Sequence, residues 1–142
     1  MDPKRCCSRR DFIFLSAGTI VALSSGSACT SGGGDTTAGS TADLQVGGAR
    51  VTADNSAVVM RDSQGIYAMS LICTHAGCNM SGGIGASRIS CSCHGSAFDS
   101  NGNVLSGPAT SPLPHLSVTV DANHNITVHT GQTVSSSLRV PA

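Results

Sequence analysis

The sequence predicts an all-β fold, a small antiparallel sandwich or barrel, and three observations predict it. Glycine is abundant at 17 of 142 residues, which favours a loop-rich β architecture over helices. Short apolar runs alternate with turn chemistry, and no helix-period segment exceeds about two turns. Aromatic residues are scarce and Trp is absent, so the core must be built from Val, Ile, Leu and Ala. A core of this size is marginal and gains from covalent or metal cross-links.

The formal net charge is zero, but half of the Lys and Arg residues, Lys4, Arg5, Arg9 and Arg10, lie in the first ten positions. From Cys29 onward four Arg stand against six Asp, a net of −2. That mild acidity argues against nucleic-acid binding, which wants a basic face. The four N-terminal cations precede an apolar run of 12 residues, Phe12 to Leu23, and then the small polar stretch Ser24 to Ala28. That order reads as an export signal or a membrane anchor over residues 1–28, its apolar part shorter than the ordinary span of about 20 residues. Ser8-Arg9-Arg10-Asp11-Phe12-Ile13 resembles the twin-arginine signal, which implies a bacterial source and export of an already folded protein. Ser27-Ala28-Cys29 resembles a lipoprotein processing site, although Gly26 stands where Leu is usual. Cleavage, retention as an anchor and lipidation at Cys29 are the three fates open to this segment, and one acyl chain alone would bind a membrane only marginally. Cys6 and Cys7 precede the signal core and have no role expected after export.

Residues 29–42 are nearly all Gly, Ser, Thr and Ala and read as a flexible linker. The domain is expected over 43–130. Strands are expected at 43–46, 50–52 and 57–61, then a hairpin turn at Asp62-Ser63-Gln64-Gly65. A strand over 66–73 delivers the first chemical run, and one over 88–91 leads into the second. Asn101-Gly102 is a tight-turn signal. Segments 116–120 and 125–129 alternate across Asp121-Ala122-Asn123 as a closing hairpin. Residues 131–142 read as a polar tail without periodicity. His115, His124 and His129 are expected on solvated surfaces.

The chemistry is concentrated in Cys73-Thr74-His75-Ala76-Gly77-Cys78 and Cys91-Ser92-Cys93-His94-Gly95-Ser96. Each run offers a Cys and a His at ligand spacing, Cys73-x-His75 and Cys91-x-x-His94, plus a further Cys. Two thiolates and two imidazoles suit a tetrahedral zinc or an iron–sulfur centre. Zinc leaves Cys78, Cys93 and the neighbouring glycines unaccounted for. Two plain disulfides leave both His positions unexplained.

Both runs match the pattern C-x-H-x-G-C and C-x-C-H-G-S of the Rieske iron–sulfur proteins, and this chain resembles that family from Ile66 to Leu116. The match extends to Phe98-Asp99, Gly102 and Gly107-Pro108-Ala109, the last similar to the Pro loop that covers the cofactor. The resemblance implies a Rieske-type β-sandwich or barrel with a cluster-binding subdomain of two loops. It implies one 2Fe–2S cluster, with Cys73 and Cys91 on one iron and His75 and His94 on the other, and a disulfide between Cys78 and Cys93. It implies exposed His rings at the tip, where a quinol or a redox protein docks. Ser96 matches a family Ser whose hydroxyl donates to a bridging sulfide. Phe98 stands where high-potential members carry a Tyr that donates to a ligand sulfur, and Ala76 where quinol oxidisers usually have Leu.

The resemblance therefore implies an electron-transfer component of an oxidoreductase rather than a stand-alone catalyst. It would work in the periplasm or on the outer face of the cytoplasmic membrane, associated with it through the N-terminus. Its partner would be a cytochrome b- or c-type protein, an oxidase large subunit as in arsenite-oxidase-like enzymes, or quinol. Oxygenase ferredoxins, which are cytoplasmic and lack the disulfide pair, fit the sequence less well. The rival from another class is a zinc-stabilised extracytoplasmic binding module on the same four ligands. Hydrogen bonds to the sulfurs stabilise the more negative reduced cluster, so Phe98 implies an intermediate potential. Phe98→Tyr is expected to raise the potential in a redox titration; one bond of about 1 kcal/mol corresponds to roughly 40 mV for a one-electron couple. No change, or a fall, would contradict the hydrogen-bond argument.

Overall fold

The computed structural model describes residues 34–142; Cys29, the basic segment and the apolar run lie outside them. Nine strands follow in order: β1 (Asp35–Ser40), β2 (Ala49–Val51), β3 (Ala57–Asp62), β4 (Gly65–Ser70), β5 (Arg88–Ser90), β6 (Ala97–Asp99), β7 (Val104–Ser106), β8 (His115–Val120) and β9 (Asn125–Val134). Six form an antiparallel sheet in the order β1-β9-β8-β4-β3-β2, and β5-β6-β7 form a second, small sheet. The ends of the large sheet approach each other. Ala53 N–H donates to the Thr37 carbonyl at 3.0 Å, and Arg50 Nη1 to the Ala38 carbonyl at 3.4 Å. The sheet is thus a nearly closed barrel. Among the described residues no helix is long and apolar enough to cross a membrane.

The central strands β3 and β4 are apolar almost without interruption because both their faces are covered. Val58, Met60, Tyr67 and Met69 point into one core, which also holds Leu71, Cys73, Met80, Ile89, Cys91 and Phe98. Ala57, Val59, Ile66 and Ala68 point into the barrel core with Leu116, Val118, Ile126 and Val128. The first core is the layer between the two sheets. It therefore supports the two runs from below.

Four expectations are corrected. The stretch 29–42, read as a flexible linker, contains β1, which pairs with β9 from Asp35↔His129 to Ser40↔Asn125. Its Thr and Ala residues alternate, and Thr36 and Ala38 face inward and are buried. Residues 43–46 are not a strand; Thr41–Asp43 form one 3₁₀ turn capped by Ser40. The polar tail is not a tail. β9 continues to Val134, and Val140 forms a two-way backbone pair with Ile66 at 2.8 Å in each direction. His115 is not solvated but 4% exposed, stacked on Tyr67 with ring centroids 5.7 Å apart. Three of the four, β1, the strap and His115, rest on partners distant in sequence, which local periodicity does not register; the turn at Thr41–Asp43 is a local cap.

Two turns share one construction. In Asp99-Ser100-Asn101-Gly102-Asn103 the Asp99 carboxylate accepts from the N–H of Asn101 (2.8 Å) and Asn103 (2.9 Å) and from the Asn103 amide. In Asp121-Ala122-Asn123-His124-Asn125 the same three bonds recur. The fourth residue has positive φ in both, Gly102 at 82° and His124 at 64°. Burial would push the Asp99 carboxyl up, but these donors hold it below its ordinary value.

Candidate metal centre

The first run is the tip of a hairpin closed by Met80 N–H donating to the Leu71 carbonyl at 2.9 Å. The second joins β5 to β6, whose Ser90↔Ala97 pair closes it. The two tips have one geometry. Cys73 N–H donates to the Cys78 carbonyl (2.8 Å) and Gly77 N–H returns to the Cys73 carbonyl (2.9 Å). Cys91 N–H donates to the Ser96 carbonyl (2.8 Å) and Gly95 N–H returns to the Cys91 carbonyl (3.0 Å). Gly77 and Gly95 sit at φ 75° and 80°, the left-handed conformation that only glycine adopts without strain. In this equivalence Cys73 matches Cys91, and Cys78 matches Ser96. The histidines do not match: His75 lies opposite Cys93, and His94 opposite Ala76.

That offset separates sulfur from nitrogen by depth. Cys73 and Cys91 are free thiols, each 3% exposed, set in the core between the sheets. His75 and His94 are exposed, and their rings meet edge to face with centroids 4.9 Å apart. Cys78 and Cys93 are joined by a disulfide that links tip to tip. The sulfurs of Cys78, Cys91 and Cys93 lie within 4.8 Å of one another, so the bridge passes beside a free thiol. The bridged pair has no thiolate to offer, which leaves two sulfurs and two imidazole nitrogens as the donor set.

Donors converge on the Cys73 sulfur. Burial would push its thiol up, but the N–H of His75, the Cys91 thiol, the N–H of Ala76 and the Ser96 hydroxyl pull it below its ordinary value. The two backbone N–H groups and the Ser96 hydroxyl are the donors that would remain on this sulfur were Cys91 also a thiolate. Ser96 is 1% exposed, and its Oγ also accepts from Ala109 N–H at 3.0 Å, which leaves its hydroxyl proton free for the sulfur. That bond also fastens the segment Gly107-Pro108-Ala109, which contains a cis peptide at Pro108, beside the second tip. Thr74 Oγ1 donates to the Ser111 carbonyl at 2.6 Å and fastens the first. Phe98 is fully buried in the core under the loops and offers no polar atom. Thr74 was not singled out from sequence, and nothing in its local pattern marks its role. The donor set, its burial and its converging N–H groups fit an iron–sulfur cluster with two thiolate and two imidazole ligands.

Comparison with known proteins agrees with this chemistry. The family model of the Rieske [2Fe-2S] domain matches residues 35–117. The chain is 43% identical over 67 residues to the cytochrome b6-f complex iron-sulfur subunit of Synechococcus sp. (strain CC9605), covering 47% of this chain and 37% of that one. It is 44% identical over 57 residues to the corresponding subunit of Prochlorococcus marinus (strain MIT 9515), covering 40% and 32%. The chain thus matches well under half the length of these relatives. A solved complex of reduced oxygenase and oxidized ferredoxin in carbazole 1,9a-dioxygenase is similar with a TM-score of 0.52 and 26% identity, over 71% of this chain and 96% of that one.

The disulfide closes a loop of 15 residues. Replacing both partners (Cys78→Ser with Cys93→Ser) is expected to lower unfolding stability in a denaturant titration by about 3 kcal/mol on the chain-entropy relation. A loss below about 1 kcal/mol would show that the tips are held together without it.

Proposed function

This chain belongs to the Rieske [2Fe-2S] domain family, and on that basis we propose that it is an exported one-electron carrier serving a membrane-associated redox chain. Its cofactor is a Rieske 2Fe–2S cluster. The observation that carries the reading is the depth order at the tip: two buried thiols under two exposed imidazoles that touch edge to face. Cys73 and Cys91 hold one iron, and His75 and His94 the other.

When bound, the cluster supplies reversible one-electron chemistry. The chain's residues do the rest. Cys73 and Cys91 sit where water is excluded, and the N–H groups of His75 and Ala76 with the Ser96 hydroxyl favour negative charge on the Cys73 sulfur. Neutral imidazoles in place of two thiolates remove negative charge and raise the potential. The exposed His75 and His94 rings present the outer edge of the site to a partner. Ser96 and Thr74 fasten the segment 107–111 against the tips.

The electron partner in this reading is a cytochrome b- or c-type protein, an oxidase large subunit or a quinol, reached from the outer face of the cytoplasmic membrane. The relatives' place in cytochrome b6-f complexes supports a cytochrome partner. Ala76, exposed beside His75, leaves the tip without a bulky side chain there and favours a protein partner over quinol. The basic twin-arginine-like segment supports export, and Cys29 or the apolar run supplies the membrane contact.

The test is EPR of the dithionite-reduced protein, produced in a host that loads iron–sulfur clusters and exports folded proteins. A rhombic signal of low average g, typical of His-ligated clusters, is expected. A silent, colourless protein with stoichiometric zinc would replace the carrier with the zinc-stabilised module.

A further inference from the structure

Far from the ligands, one cation joins three parts of the molecule. Arg139 lies in the strap 135–142 that follows β9, and its side chain is 12% exposed. Its Nε donates to Asp62 Oδ2 at 2.6 Å, in the β3–β4 hairpin. Its Nη2 donates to Asn101 Oδ1 at 2.9 Å, in the turn between β6 and β7 of the small sheet. Its Nη1 donates to the Ser136 and Leu138 carbonyls of its own strap. The guanidinium carbon stands 3.8 Å from the centroid of the Tyr67 ring. Only a planar fork with five donors satisfies these directions together.

The same turn of the small sheet is gripped twice more from the barrel. Tyr67 Oη donates to the Ser100 carbonyl at 2.8 Å, and His115 Nε2 bonds the Asn101 carbonyl at 3.0 Å. Tyr67 and His115 stack, and Arg139 covers Tyr67, so the three side chains form one block. The strap itself is seated by the Val140–Ile66 backbone pair. Gly65 makes room for it: a Cβ there would stand 2.5 Å from the Val140 carbonyl oxygen.

We propose that Arg139 is a clasp that fixes the angle between the cluster-bearing small sheet and the barrel. β5 and β6 carry the second ligand loop, and the barrel carries the chain's entry through β1. Arg139 is thereby a positioning residue: it sets the direction in which the second tip, with His94, faces relative to the barrel, while the first tip, with His75, continues from β4. Its contacts touch none of the four ligands, so opening the clasp removes one hold on the joint while Tyr67 and His115 still grip the same turn.

The experiment is a pulsed-EPR distance measurement on the full chain between two nitroxides. One is attached through Ser87→Cys beside β5, the other through Ala122→Cys in the β8–β9 turn, with Cys6, Cys7 and Cys29 replaced by Ser in every variant; both label positions are exposed, and among the described residues the free Cys73 and Cys91 are buried. With Arg139 in place a single narrow distance is expected. Arg139→Gln is expected to broaden the distribution beyond the spread of the labels themselves. Asn101→Ala keeps the Asp62 pairing and removes one acceptor, and is expected to broaden it in the same direction. Should Arg139→Gln fail to fold, Asn101→Ala carries the test. An unchanged distribution in the folded variants overturns the proposal.

Discussion

The cofactor site depends on holding two separate loop tips side by side, and the Cys78–Cys93 disulfide is the bond that does so covalently. Each tip is stable as a local object, closed by its own pair of backbone hydrogen bonds around a left-handed glycine. Nothing in either closure sets the distance to the other tip. Without a fixed distance, four ligands from two loops would have to be assembled at the cost of loop entropy each time a cofactor binds. The bridge meets that cost in advance, and the segment 107–111, fastened by Ser96 and Thr74, adds a third wall.

The equivalence of the two tips also accounts for the division of the proposed ligands. Matching positions supply the two cysteines, both directed into the core between the sheets. The histidines come from positions that do not match, which lets both imidazoles reach the outside. Deep sulfur keeps charge away from water, and shallow nitrogen keeps an edge available to a partner. The barrel beneath has a simpler duty. Its central strands β3 and β4 bury both faces, so the floor under the thiols is continuous with the main core.

Much of the site was legible in the sequence because its chemistry is local: spacing, glycines and surplus cysteines all fall within two six-residue runs. The central hairpins were legible for the same reason, with Asp62-Ser63-Gln64-Gly65 and Asp121-Ala122-Asn123 turning where turn chemistry places them. What escaped lies in pairings across the chain. β1 looks like a linker by composition and becomes a strand only because β9 stands beside it. The strap has no periodicity, yet Arg139 and Val140 find partners more than 70 positions away in sequence. His115 reads as a surface residue until the strap and Tyr67 cover it. One signal was present and unused: Asp-x-Asn-x-Asn occurs at both Asp99 and Asp121 and builds the same turn twice.

Mössbauer spectroscopy of the oxidised, iron-57-enriched protein tests the ligand division most directly, because it reads each iron's own surroundings. Two distinct quadrupole doublets of equal area are expected, one for iron held by Cys73 and Cys91 and one for iron held by His75 and His94. A single doublet for two equivalent irons would contradict the account, since it would mean that sulfur and nitrogen are not separated between the two metals.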